Sequence, residues 1–223
     1  MGGRGGASHR GINAIFGRMP SFASFHSFPT QADANQWHTQ NNFNSVKWQN
    51  DLTQSEQRGI REYTGSSYIE MNTNLRHGTL PSAEIQEYID GATEGLSKWS
   101  SAEDMMTYRG ANLHWTANLL GGTENQMSNA AFLQSRIGKM VTDKGFMSTG
   151  THINSAWTND VTYTIFARKG ISGMYVDPIS VNQGEYEFLF NRDTEFKVHM
   201  IKTDQKGRIS ELVLEAIGSK HKR

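Results

Sequence analysis

Cysteine is absent from all 223 residues, which excludes disulfide staples, thiol nucleophiles and cysteine-ligated zinc. Net charge is absent as well: 22 Lys and Arg offset 22 Asp and Glu, so the surface as a whole is not built to neutralise a phosphate backbone. No run approaches the roughly 18 apolar residues that a membrane span needs. The apolar stretch at 12–16 is too short for a signal-peptide core, so the expected location is the producer's cytoplasm or a target cell reached by a non-Sec route. A phosphate-cradling glycine loop ending in Lys and Ser/Thr, HExxH and Gly-x-Ser-x-Gly are all missing. The 8 histidines are scattered without ligand spacing, and no metal is expected.

What is present divides into three parts. Residues 1–29 open Gly-Gly-Arg-Gly-Gly and show no sustained period, which reads as a flexible tail; its Phe16, Phe22, Phe25 and Phe28 offer the alternative of anchoring to a partner or to the domain. Residues 30–217 form the expected domain, and residues 218–223, ending Lys220-His221-Lys222-Arg223, a basic tail. The first half of the domain is helical. Thr53-Gln54-Ser55-Glu56 is a capping box, Ser67-Tyr68-Ile69-Glu70 offers a second, and Ile85, Ile89, Ala92, Leu96 and Trp99 make one apolar stripe. Strands are expected near 105–108, 146–148, 161–167, 173–176, 186–190, 195–203 and 209–217, with helices at 112–119 and 130–137. Helices followed by strands, rather than alternation, predict an α+β fold.

Chemistry concentrates in Gly184-Glu185-Tyr186-Glu187-Phe188-Leu189-Phe190. In a strand, Glu185 and Glu187 would share one face while Tyr186, Phe188 and Phe190 face apolar packing. Two carboxylates there suit chemistry at an acetal-like carbon, one stabilising an oxocarbenium-like centre and the other handling the nucleophile. A solvated acidic edge strand is the bland alternative. Two further strand ends carry useful groups. Tyr108-Arg109-Gly110 presents a guanidinium able to grip a phosphate, and Gly145-Phe146-Met147-Ser148-Thr149-Gly150 presents a hydroxyl.

In the order Arg, Ser-Thr, Glu-x-Glu, these segments resemble the arginine–serine–glutamate class of mono-ADP-ribosyltransferases, the class of the clostridial binary actin toxins and the vegetative insecticidal toxin. The likeness extends to Leu52-Thr53, Glu56, Ile60, Tyr63-Thr64-Gly65, Tyr68, Asn72 and Leu75-Arg76 at one end. At the other it takes in Lys169-Gly170, Gly173, Tyr175 and Asn191 through Val198. The resemblance implies a fold in which N-terminal helices pack on two mostly antiparallel sheets flanking an NAD cleft. It implies a monomer that moves ADP-ribose from NAD to an arginine of a target protein. By position Arg109 would hold an NAD phosphate, and the Gly110 backbone would meet the nicotinamide amide. Ser148 and Thr149 would line the ribose pocket and orient the catalytic Glu187, while Glu185 would activate the acceptor.

Three positions depart from the family pattern. Gly150 replaces a second serine. Trp157 can supply the aromatic of the following loop, but Asp160 stands where relatives carry an arginine, so NAD would be held more weakly or by a different basic residue such as Arg168. Asn182 replaces an aromatic that touches the protein substrate, which argues against actin as target. Competing readings are an NAD glycohydrolase, a transferase acting on nucleic acid, and a non-catalytic docking protein, for instance of a bacteriophage particle, with a vestigial site.

Overall fold

A computed structural model describes residues 13–16, 21, 24–41, 45–155 and 159–221. Strand β1 (Asn13–Phe16) comes first, and five helices follow: α1 (Gln31–Gln40), α2 (Ser45–Asp51), α3 (Gln54–Glu62), α4 (Tyr68–His77) and α5 (Ala83–Ser97). The Thr53 capping box forms as expected, with Glu56 N donating to Thr53 Oγ1 at 3.3 Å and Thr53 N donating to the Glu56 carboxylate at 2.7 Å. The second box does not form. Ser67 stays helical and its hydroxyl donates to Glu62 at 3.3 Å, because α3 runs into α4 through a widened turn at Tyr63–Ser67, broken at Gly65 (φ −93°, ψ −128°).

Helices α3 and α5 touch backbone to backbone. A Cβ at Gly59 would lie 2.4 Å from Ala92 N, and one at Gly91 would lie 2.4 Å from Ser55 O. The apolar stripe of α5 (Ile85, Ile89, Ala92, Leu96) is buried in the main core with Ile60 and Met71, so the helical layer is fixed by core burial as well as by caps.

Beyond α5 the chain continues through β2 (Met105–Ala111), α6 (Leu113–Leu119), α7 (Ala130–Arg136), β3 (Met140–Asp143), β4 (Met147–Gly150), β5 (Val161–Ala167), β6 (Gly173–Tyr175), β7 (Glu187–Phe190), β8 (Thr194–Thr203) and β9 (Ile209–Ser219). Hydrogen bonding orders the strands β1-β8-β9-β5-β2-β4-β7-β6, with β3 also on β8. Among the described strand pairs, only β5–β9 is parallel. Two sheets were expected; hydrogen bonding instead joins the described strands into one ladder. β2 meets β4 at a single registered pair, Tyr108↔Gly150, so the β4-β7-β6 half splays from the rest there. The fold is α+β.

The expected tail is partly built into the domain. β1 pairs antiparallel with β8 from Asn13↔Thr203 to Phe16↔Met200. Phe25 and Phe28 are buried, Phe25 edge-on to Phe166 with ring centroids 5.1 Å apart in a small second core with Met200 and Val213. Phe22 lies outside the described residues. At the other end β9 runs to Ser219, past the expected limit of 217, and His221 Nε2 lies 2.9 Å from Asp193. β1 and β3, each four residues long, were not among the expected strands. Among the described residues no helix is long and apolar enough to cross a membrane.

Candidate active site

The site forms where the two halves of the sheet part. Arg109 projects from β2 and its Nη1 donates to the main-chain oxygen of Ser148 on β4 at 2.7 Å. β4 is in turn registered on β7, with Ser148 opposite Leu189, Thr149 opposite Phe188 and Gly150 opposite Glu187. Two antiparallel pairings thus bring together residues that are distant in sequence. The Thr149 hydroxyl donates to Phe188 O at 2.7 Å, a bond that pins β4 to β7.

Glu187 opens β7 with its side chain buried, 5% exposed as a residue. Burial pushes its carboxyl up to about 7; a hydrogen bond with Ser148 and the Arg109 charge pull the other way, while Glu185 and Asp177 add to the rise. Glu185 is also held above its ordinary range, first by burial and then by Asp177.

The two glutamates are not alternate residues of one strand, as expected. The strand begins only at Glu187, and Tyr186 between them has a left-handed backbone (φ 54°). That conformation is costly for a bulky residue. Asp177 over-determines it: its Oδ1 accepts from Gly184 N at 3.0 Å and Tyr186 N at 2.8 Å. The turn delivers both carboxyl groups to the same cleft nonetheless.

That cleft has a volume of about 490 Å³, with Arg109, Gly110, Ser148, Thr149, Glu185 and Glu187 in its lining. The lining also includes Tyr63, Asn72 and Arg76 from the widened turn and α4. A second cavity of about 310 Å³ shares Arg76, Arg109, Ala111 and Trp115 with it, so two guanidinium groups sit at the junction of a two-chambered trough. Asp143 holds Arg76 with two bonds, Nε at 2.8 Å and Nη2 at 2.7 Å, and the Arg76 guanidinium lies 5.0 Å from the centre of the Trp115 ring. Asn72 Oδ1 accepts from Phe146 N at 2.8 Å, and Tyr63 Oη donates to Phe146 O at 3.3 Å, stitching α4 to the turn that precedes β4.

Other expected positions fall elsewhere. Arg168 is not in the trough lining: its Nε donates to Glu215 at 2.5 Å and its guanidinium lies over Phe25, whereas Arg76 is in the lining beside Arg109, with Lys144 in the smaller chamber. Asp160 accepts from Leu113 N at 3.2 Å, capping the start of α6. Trp157 lies outside the described residues. Asn182 is exposed in the cleft lining, its Nδ2 donating to Thr64 O at 2.9 Å. Arg76, Asn72 and Tyr63 had figured in the sequence only as part of the resemblance, and Asp177 had no signal at all.

The profile of the family described as ADP-ribosyltransferase exoenzyme matches residues 34–221. The mono(ADP-ribosyl)transferase SpvB of Salmonella typhimurium is 26% identical over 168 residues, covering 65% of this chain and 27% of that protein. The NAD(+)–protein-arginine ADP-ribosyltransferase Tre1 of Serratia proteamaculans is 31% identical over 148 residues, covering 66% of this chain and 29% of its own length. The chain therefore spans little more than a quarter of the length of either of these two relatives. Among solved structures, C3stau2 from S. aureus with NAD superposes with a TM-score of 0.70 at 21% identity, covering 86% of this chain and 98% of that one. That likeness speaks to the fold.

Proposed function

Because the chain belongs to the ADP-ribosyltransferase exoenzyme family, whose co-substrate is NAD, we propose that it is a mono-ADP-ribosyltransferase transferring ADP-ribose to an arginine side chain of a target protein. One observation carries the reading: a buried carboxyl at Glu187, hydrogen-bonded to Ser148, shares a cleft with the Arg109 guanidinium and a second carboxyl at Glu185. The trough suits a dinucleotide, having two chambers with Arg76 and Arg109 where they join and hence cationic partners for a pyrophosphate.

NAD supplies a C1′–N glycosidic bond whose electron pair leaves with nicotinamide; the acceptor guanidine forms the new C1′–N bond and gives up one proton. The protein's part is electrostatic and positional. Arg109 holds a phosphate and, through Ser148 O, fixes the strand that carries Ser148. The Gly110 backbone is offered to the nicotinamide amide. Ser148 orients Glu187, with Thr149 keeping β4 in register on β7. Glu187, ionised, meets the positive charge that develops at the ribose, a preorganised contribution that is typically large. Glu185 orients the acceptor guanidine and takes its proton, a role that its raised basicity favours. A glutamate at this position accords with arginine as acceptor, the residue named for Tre1. Trp157 is assigned the aromatic contact of its loop by resemblance alone. Action as a monomer delivered into a target cell by a non-Sec route completes the proposal.

The test is incubation with labelled NAD and a lysate, followed by mass spectrometry of modified proteins. Label on arginine, absent with Glu187→Ala, is the expected result. Wild type and Glu187→Ala both leaving every macromolecule unlabelled would sink the reading. Nicotinamide release alone would indicate a glycohydrolase, and label moving with RNA or DNA a different acceptor.

A further inference from the structure

Glu185 stands between two left-handed residues, Gly184 (φ 93°) and Tyr186 (φ 54°), near the end of the irregular segment that joins β6 to β7. Within that segment Asp177 holds both neighbouring amides, and Ser180 Oγ accepts from Asn182 N at 3.0 Å. These bonds give the loop its shape but do not fix it to the rest of the cleft lining.

That attachment comes from the widened turn at 63–67. Asn182 Nδ2 donates to Thr64 O at 2.9 Å, and Val181 N donates to Thr64 Oγ1 at 3.0 Å. The Thr64 hydroxyl donates to Arg61 O at 2.9 Å, which leaves its lone pairs for Val181. Arg61 Nη1 adds a longer bond to Ile179 O at 3.3 Å. Val181 is 54% exposed, and Asn182 is exposed too, in the lining of the cleft.

We infer that Asn182 and Thr64 form a clasp that fixes Glu185 at the acceptor side of the cleft, making both of them positioning residues for the transfer step. The inference rests on Glu185 serving the acceptor. In this chain the asparagine at 182 ties the loop to Thr64 while staying exposed at the cleft, beside the exposed Val181. Small displacements of a reacting group carry large kinetic penalties, so loosening the clasp reduces transfer more than cleavage of NAD, in which Glu187 acts from a regular strand.

Full-length Asn182→Ala, Thr64→Ala and Thr64→Ser are compared with wild type using labelled NAD, with agmatine and lysate protein as parallel guanidine acceptors. ADP-ribosylated acceptor and free ADP-ribose are read from the same reaction. The ratio of the two falls about tenfold in both alanine variants and is retained in Thr64→Ser, which keeps the hydroxyl. Amide exchange across residues 179–186 speeds up in Asn182→Ala. An unchanged ratio in Asn182→Ala, an equal fall of both products, or unchanged exchange overturns the clasp. Glu185→Ala separates the two ideas. If it transfers like wild type, the role given to Glu185 fails; if it loses transfer while Asn182→Ala keeps it, the clasp alone fails.

Discussion

Arg109 donates from Nη1 to the main-chain oxygen of Ser148 at 2.7 Å, across the point where β2 and β4 share only the pair Tyr108↔Gly150. One guanidinium therefore does two things: it presents charge to the cleft and it substitutes for the ladder bonds that the two strands lack.

Arg109→Lys keeps the charge and loses the planar fork. An ammonium that bonds Ser148 O has no second arm fixed towards a phosphate. KM for NAD is expected to rise tenfold or more, with a smaller fall in kcat as β4 loosens. Kinetics of nicotinamide release measure both, and a KM within twofold of wild type contradicts the assignment.

The crossing of α3 and α5 leaves no room for a methyl group at Gly59, where a Cβ would lie 2.4 Å from a backbone nitrogen. Backbone cannot swing aside as a side chain can, so the helices must separate. Gly59→Ala is expected to cost about 1–3 kcal/mol and to lower Tm by several degrees in a thermal melt, with the α4 wall of the cleft disturbed in turn.

Asp143 makes two bonds to Arg76 and also accepts from Gly145 N at 2.9 Å, shaping the turn into β4. Asp143→Ala leaves a largely buried guanidinium (16% exposed) without its partner, at a cost of about 3 kcal/mol in denaturant unfolding. Asp143→Asn retains an acceptor for Gly145 N and for one arm of Arg76, so it is expected to lose less than half as much. Equal losses would show that charge alone holds the pair.

Much of this was legible in the sequence because the signals were local. The Thr53 box and the α5 stripe needed only spacing and residue type, whereas Arg109, Ser148 and Glu187 were singled out by the family resemblance that their order carries. Misreadings arose where tertiary contacts override local pattern. Tyr186 is β-prone and flanked by glutamates, which reads as a strand, yet Asp177, nine residues earlier, holds it left-handed. Ser67 and Glu70 have capping-box spacing, but the helix never breaks at Ser67 in a way that frees an amide to be capped. Arg168 was a reasonable second cation by charge alone; Glu215 on the neighbouring strand β9 claims it. Arg76 took that place through the long-range pairing of α4 with β3, which no period in the sequence reports.

Glu187 is held above the 4.5 of an ordinary glutamate, at about 7, so its ionisation is penalised in the fold and not in the unfolded chain. The penalty is absent below about pH 4.5, builds up to about pH 7 and is constant above. Glu187→Gln removes it. The variant is expected to match wild type near pH 4.5 and to be more stable above pH 7, by up to about 3 kcal/mol. Melts at both pH values check this, and a variant less stable than wild type at pH 8 would contradict it.

The same carboxyl gives the reaction its acidic limb. Glu187 must be ionised to meet positive charge, so kcat/KM for nicotinamide release is expected to rise with pH and level off above about 7. Its neighbours predict how the midpoint moves. Ser148 favours the ionised form through its hydrogen bond, so Ser148→Ala shifts the midpoint to higher pH; Glu185 disfavours it through like charge, so Glu185→Gln shifts the midpoint lower. Opposite shifts from two residues on either side of one carboxyl are hard to produce by general disruption. If both variants move the limb in the same direction, some group other than Glu187 sets it.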